Sequence, residues 1–262
     1  MHPSPRQRRQ CHRLSKPDHL QRRPFLQLRC GPRQRGQVQH LQCGRFWRSE
    51  HGRQRRDHDR RGDVVVDAYT LLGAPLTKDA LLGLAARAEG HPDNVAAALL
   101  GGLTVSCSTA DGVTAVSLPV PADLTWVALI PDVTSATAEA RAVLPKSVPH
   151  EDAVFNVQRG ALLLASLQAG RPAALAQALE DRLHQPYRTR LFPWMPDVVA
   201  AARRAGALGC VLSGAGPSLL AVVAGAGMGV ARTMEVALAE AGIAGTARAF
   251  DVDTAGAVSR VI

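Results

Sequence analysis

Residues 1–62 contain no Ala, Ile, Thr, Tyr or Asn, whereas 43 Ala fall in the 200 residues that follow. A segment so poor in small and branched apolar side chains cannot build a core, so the fold must be sought from residue 63 onward. The charge divides at the same place. Residues 1–62 hold 17 Lys and Arg against 4 Asp and Glu, a net of +13, while residues 63–262 hold 14 against 18, a net of −4. A formal charge of +9 for the whole chain would ordinarily point to nucleic acid or a membrane surface. Here it belongs to the leader, and the remainder is mildly acidic.

Three readings of the leader compete. A basic arm for nucleic acid would be rich in Lys, Ser, Gly or Ala, yet Lys16 is the single Lys of the segment. A transit peptide would be Ser-rich and poor in His, whereas six of the nine His lie here. An out-of-frame translation of a GC-rich gene yields Arg, Pro, Gln and His at the expense of Ala, and the composition favours it. Gln54-Arg55-Arg56-Asp57, followed by His58, is encoded by CAR-CGN-CGN-GAY-CAY. Read one base later with C or G at the wobble positions, the string becomes Ser-Ala-Ala-Thr.

No apolar run of the kind found in a secretory signal opens the chain. The uncharged stretch 205–231 is broken by Ser213-Gly214-Ala215-Gly216-Pro217, so strand–loop–strand is expected there rather than a membrane span. The five Cys show no CxxC spacing, which indicates neither a zinc site nor a disulfide framework. Cys107 and Cys210 lie in strand-like runs and are expected in the core. The chain reads as cytoplasmic, with no membrane or nucleic-acid partner.

From residue 64 the pattern is that of an ordinary folded chain. Residues 64–72 read as the end of an apolar helix, 77–88 as a helix capped by Thr77, and 95–100 as another. Strands are expected at 103–108 and 113–119 around the Ala110-Asp111-Gly112 turn, and at 124–130. Helices follow at 136–144, 152–169 and 173–183, then a loop over 184–188 and a helix at 196–205. Strands flank a loop at 213–218, a helix covers 230–241, and 246–252 is the last strand. The β-α-β-β-α-β order of the second half predicts an α+β sandwich with an antiparallel sheet.

Three stretches carry chemistry. In Glu89-Gly90-His91-Pro92-Asp93-Asn94, Pro92 suits a helix's first turn and places Asp93 and Asn94 where unpaired N–H groups gather. A polar substrate could be held there against an anion, although a helix N-cap with an incidental His would look the same. Thr137 and Arg141 are four apart and share a helix face, where they could clamp a carboxylate. A surface Arg paired with Glu139 is the other reading. The residues Ser213, Gly214, Ala215, Gly216, Pro217 and Ser218 could turn backbone N–H groups inward as an anion nest, or simply make a tight connection.

In this order, EGHPDNVAAALLGG (89–102), IPDVTSATAEARAVLP (130–145) and LSGAGPSLL (212–220) resemble homoserine kinases of the galactokinase/homoserine/mevalonate/phosphomevalonate (GHMP) kinase superfamily. Phe155-Asn156-Val157 and Asp181-Arg182-Leu183-His184-Gln185-Pro186-Tyr187-Arg188 extend the match, which runs from about residue 64 to the C-terminus. The resemblance implies transfer of the ATP γ-phosphoryl group to the hydroxyl of L-homoserine. Arg141 and Arg188 would hold the substrate carboxylate with Thr137 nearby. Asp93 would pair with the ammonium group, Asn94 would orient the hydroxyl, and His91 would shape the pocket. The loop residues Ser213, Gly214, Ala215, Gly216 and Ser218 would meet phosphate or close over the substrate. Mg²⁺ would bridge the phosphates, with Glu89 as a candidate ligand.

The same resemblance implies a ribosomal-protein-like N-terminal α+β domain, here incomplete (63–123), and a ferredoxin-like C-terminal α/β sandwich (124–262), with a homodimer compatible with it. It also implies a Gly/Ser-rich ATP loop ending in Ser-Ser-Ala-Ala, which is not present. The shifted reading at 54–57 falls close to where that loop belongs, so kinase activity of the chain as written is expected to be impaired. Another small-molecule kinase of the superfamily, or a nucleic-acid-binding protein with a basic arm, are the other classes. The first need not keep the His-Pro-Asp-Asn string and the two Arg, and the second would lose binding with residues 1–62.

Overall fold

Thr77 sets the start of the first helix, α1 (Lys78–Glu89), by accepting the N–H of Ala80 at 3.3 Å. Asp79 in the first turn and Arg87 in the last complement the helix dipole, and Gly90, at φ 95°, ends it. Pro92 then opens α2 (Asp93–Leu100). A computed structural model describes residues 76–257, apart from residue 136 and the side chains of 137 and 138. All of them belong to one unit, residues 37–262. The basic leader, the shifted reading at 54–57 and the expected helix at 64–72 lie outside the described residues.

Leu82 of α1 and Ala96 and Leu99 of α2 form a small core with Val113 and Ala115 of a hairpin. The hairpin pairs β1 (Leu103–Thr109) with β2 (Gly112–Leu118). Its other face is open among the described residues. The cross-strand partners Val105 and Val116 are 44% and 53% exposed, and Cys107 is exposed with them. Cys107 is therefore not the core residue its apolar neighbours suggested. Strand alternation puts it on the face turned away from α1 and α2.

A second sheet is wholly antiparallel, in the order β4-β5-β3-β6, from β3 (Leu124–Pro131), β4 (Gly209–Leu212), β5 (Leu219–Ala224) and β6 (Gly245–Phe250). β5 lies between β3 and β4, which is the split βαβ arrangement of a ferredoxin-like sheet. Alternation assigns each face its cover. Val127, Leu129, Leu219, Ala221 and Val223 pack under α7 (Met195–Arg204) and α8 (Met228–Glu240). Leu124, Trp126 and Val222 meet Leu163 and Leu167 of α4 (His150–Gln168), together with Leu103 of β1. The expected α+β class with antiparallel sheets is what the chain forms.

Between β3 and β4 two expectations fail. The helix expected over 173–183 is only a 3₁₀ turn, Pro172–Ala174, and a single turn, α5 (Leu175–Ala178). The loop expected over 184–188 contains a helical turn, α6 (Gln185–Arg188), with Pro186 in its first turn. One side chain explains both. The Asp181 carboxylate accepts the N–H groups of Leu183, His184 and Gln185 at 3.0, 3.0 and 2.5 Å. It draws the backbone out of the first helix and caps the second. A short helix, α3 (Thr137–Ala142), follows β3.

The C-terminal segment crosses the end of α2. Gly102 N donates to Asp253 O at 2.7 Å, and Ala257 N to Leu99 O at 3.2 Å. A Cβ at Gly256, where φ is 66°, would lie 2.5 Å from Leu99 O. Gly256→Ala is thus expected to cost about 2–4 kcal/mol from the left-handed backbone and the overpacking together. Urea unfolding checks this, and an unchanged midpoint would show that the segment is not docked there.

Candidate active site

At the start of α2, Asp93 Oδ1 accepts the Asn94 N–H at 2.9 Å and lies 2.6 Å from His91 Nδ1. Asp93 and Asn94 are exposed and His91 is half-buried. Both contacts use Oδ1, and Asp93 Oδ2 has no bond among the described residues. The carboxylate thus caps its own helix while keeping one oxygen for a cation, and His91 fixes its rotamer.

A second group forms around Arg188, whose residue is only 8% exposed. Its Nε donates to Ala140 O of α3 at 3.2 Å, and its Nη1 donates to Gly214 O at 2.8 Å and lies 3.2 Å from His184 Nδ1. One guanidinium therefore ties α6 to α3 and to the 213–218 loop. Gln185 adds a second tie by accepting the Leu212 N–H at 2.8 Å on the edge strand β4.

No carboxylate forms an ion pair with Arg188 among the described residues. Burial pushes its pKa down, Asp181 nearby raises it, and the positive charge of Arg141 lowers it again. A buried cation beside a second cation, with only carbonyls and an imidazole to share its protons, is a place for an anion.

The same neighbourhood perturbs two other groups. Burial would raise the Asp181 carboxyl, but the donors Gln185, Asn156, Leu183 and His184 outweigh it and hold the carboxyl below its ordinary value. Burial pushes His184 down, Asp181 pulls it up, and Arg188 pushes it down, leaving it below the usual imidazole value. Both shifts are depressions. Their contributions to stability are complete above the unfolded pKa values and are lost as pH falls through the folded ones. The Arg188 cluster therefore loosens in acid.

Of the other predicted site residues, Arg141 is exposed on α3, and the Thr137 side chain lies outside the described ones. Glu89 ends α1 and is half-buried. Among the described residues no three His, Cys, Asp or Glu gather as a metal site. In the 213–218 loop, Ser213 N donates to Ser218 O at 2.8 Å and Gly216 N to Ser213 O at 3.0 Å. Two of the amides expected to form a nest are thus used to close the loop. Gly214, Ala215 and Ser218 remain the candidates, and Gly214 faces Arg188 with its carbonyl.

The structure thus assembles Arg188, α3 and the Gly loop. No hydrogen bond or ion pair among the described residues joins them to the His91–Asn94 turn. A cavity of about 310 Å³ lies against α5, α6, α7 and β4, lined by Gln185, Thr189, Met195 and Cys210 among others. None of the predicted site residues lines it, and burial pushes the Cys210 thiol up to about 12.

Sequence spacing did not assign roles to Asp181, Asn156 or His184. A carboxylate followed five residues later by a Pro in a helix's first turn is the signal that could have found Asp181. Ser135 Oγ, just before α3, is buried without a hydrogen-bond partner and had no assigned role either.

The split-βαβ sheet, with its Gly loop beside a buried Arg, lies where the model of the GHMP superfamily's C-terminal domain, "GHMP kinases C terminal", matches residues 163–233. The chain is 43% identical over 195 residues to homoserine kinase of Moorella thermoacetica, covering 74% of this chain and 66% of that one. It is 52% identical over 158 residues to the enzyme of Gloeobacter violaceus, covering 60% of this chain and 52% of that one. The crystal structure of homoserine kinase from Cytophaga hutchinsonii superposes with a TM-score of 0.71 at 30% identity, over 76% of this chain and 65% of that one. The chain belongs to the homoserine kinase family. It spans roughly half to two thirds of the length of these relatives. No helix among the described residues is long and apolar enough to cross a membrane.

Proposed function

We propose that the activity of this chain is homoserine kinase activity: transfer of the ATP γ-phosphoryl group to the side-chain hydroxyl of L-homoserine, giving O-phospho-L-homoserine. The observation that carries this reading is the buried Arg188 beside Arg141 without a carboxylate partner, which suits the α-carboxylate of an amino acid. Thr137 and the unpartnered Ser135 hydroxyl stand on the same segment. Asp93, with one oxygen uncommitted, takes the ammonium group. Asn94 orients the hydroxyl, and His91 holds Asp93 in place. The reacting oxygen needs positioning and a γ-phosphate with its charge neutralised, so no dedicated base is required. Mg²⁺ supplies that neutralisation when bound with ATP. Glu89 is the carboxylate of this chain offered to it, and phosphate oxygens and water would complete the set.

On this reading, residues 63–123 belong to a ribosomal-protein-like N-terminal domain and 124–262 to the C-terminal domain of a cytoplasmic enzyme. Gly214, Ala215, Gly216 and Ser218 then line the cleft from the C-terminal side, with Ser213 closing the turn. The test is a frame-restored version of the chain. There Asn94→Ala should lower kcat by on the order of tenfold or more while the homoserine KM changes less. Unchanged turnover with weakened binding would remove Asn94 from the reacting hydroxyl.

A further inference from the structure

One stripe of α4, the residues Asp152, Phe155, Asn156 and Arg159, grips Glu180, Asp181 and Arg182, shortly before the α6 turn. Their spacing of three, one and three places them on a single helix face. Arg182 Nη1 donates to Asp152 at 3.3 Å, and Arg159 Nη2 donates to Glu180 at 3.0 Å. The guanidinium carbons of Arg159 and Arg182 each lie 3.9 Å from the centre of the Phe155 ring. Between these outer pairs, Asn156 uses both ends of its amide. Its Nδ2 donates to Asp181 Oδ1 at 2.6 Å, and its Oδ1 accepts the Arg182 N–H at 2.9 Å.

The outer pairs are exposed and contribute little individually. The central pair is different. The Asp181 side chain is 6% exposed, and its two oxygens hold three backbone N–H groups that lead into α6. A four-residue helical turn has no stability of its own, because nucleation costs more than one turn returns. The position of Arg188 at its end therefore has to be imposed from outside. Gln185 and Arg188 reach forward to β4, α3 and the Gly loop, and Asp181 is the anchor behind them.

We propose that Asp181, held by Asn156, is a positioning residue that presets Arg188 as the buried cation of the site. This deepens the substrate-clamp reading and rests on it only for the identity of the anion. The Asn156–Asp181 pair transmits the register of α4 to the guanidinium, while the Phe155 stack and the two surface ion pairs keep the strap flat against α4.

The experiment uses the full chain and arginine modification by phenylglyoxal, read peptide by peptide by mass spectrometry. Arg190, two residues on and exposed, is the internal reference. In the unaltered chain Arg188 should react at least about tenfold more slowly than Arg190. Asp181→Ala should bring Arg188 to the Arg190 rate, whereas Asp152→Ala, which breaks only an outer pair, should leave Arg188 protected. Labelling of the buried Cys210 reports global opening. If Asp181→Ala frees Cys210 as well, the milder Asn156→Ala decides: selective exposure of Arg188 supports the proposal, and an unchanged Arg188 overturns it. Protection of Arg188 in Asp181→Ala also overturns it. Added L-homoserine should slow Arg188 modification in the unaltered chain. Its failure to do so would count against homoserine as the anion and leave the Asp181–Arg188 coupling standing.

Discussion

Arg188→Ala in a frame-restored chain is expected to raise the homoserine KM by ten- to a hundredfold while the ATP KM stays within about twofold. A charge-assisted hydrogen bond is worth about 1.5–3 kcal/mol, which converts to that range when the lost contact serves binding. Arg141→Ala should cost less, although the resemblance gave the two residues equal standing. Arg141 is exposed, so water and salt screen it, while Arg188 is buried. The fold should also suffer, by about 1–3 kcal/mol, because Ala140 O and Gly214 O lose their donor. Relief of the buried charge limits that loss. Arg188→Lys should not rescue binding, since one ammonium cannot reach two carbonyls and a carboxylate in a planar fork. Equal effects of Arg188→Ala on both substrates would remove the assignment.

The contrast between the two Arg shows what a sequence can and cannot disclose. Thr77 before an apolar period, and the apolar runs of β3 and β5, are local signals, and the structure follows them closely. The reason for the Gly101–Gly102 pair that ends EGHPDNVAAALLGG is not local. Gly101 makes room for Asp253, Thr254 and Gly256, a contact across more than 150 positions that no local pattern encodes, and Gly102 makes room for Ser117 and Leu118. The failures cluster at 173–188. Helical periodicity there was real, with Leu175 and Ala178 buried, yet a buried carboxylate overrode propensity by offering the backbone better partners. Site residues on regular elements could be named from spacing. The positioning of Arg188 could not, because it depends on how α4 meets a strap 25 residues downstream.

The second large effect concerns the chain as written, in which ATP-dependent phosphorylation of homoserine is expected to be undetectable or very low. Phosphoryl transfer relies on holding the γ-phosphate in line and neutralising its charge, so losing the phosphate cradle costs orders of magnitude rather than a few-fold. Residues 1–88 contain no Gly/Ser-rich turn leading into a helix. Gly44, Gly52 and Gly62 stand among Arg residues, with no apolar periodicity behind them to build that helix. The 213–218 loop cannot take over. On the proposed reading it serves the opposite wall of the same cleft, and its Ser213 and Gly216 amides already close the loop itself. Leader Arg side chains would attract ATP, but cations screened by salt do not by themselves position a γ-phosphate. Shifting the frame so that Ser-Ala-Ala replaces Gln54-Arg55-Arg56 should restore turnover, measured as homoserine-dependent ADP release at high and low salt. Robust, salt-insensitive turnover from the unaltered chain would sink this reading and assign phosphate binding to residues 1–62.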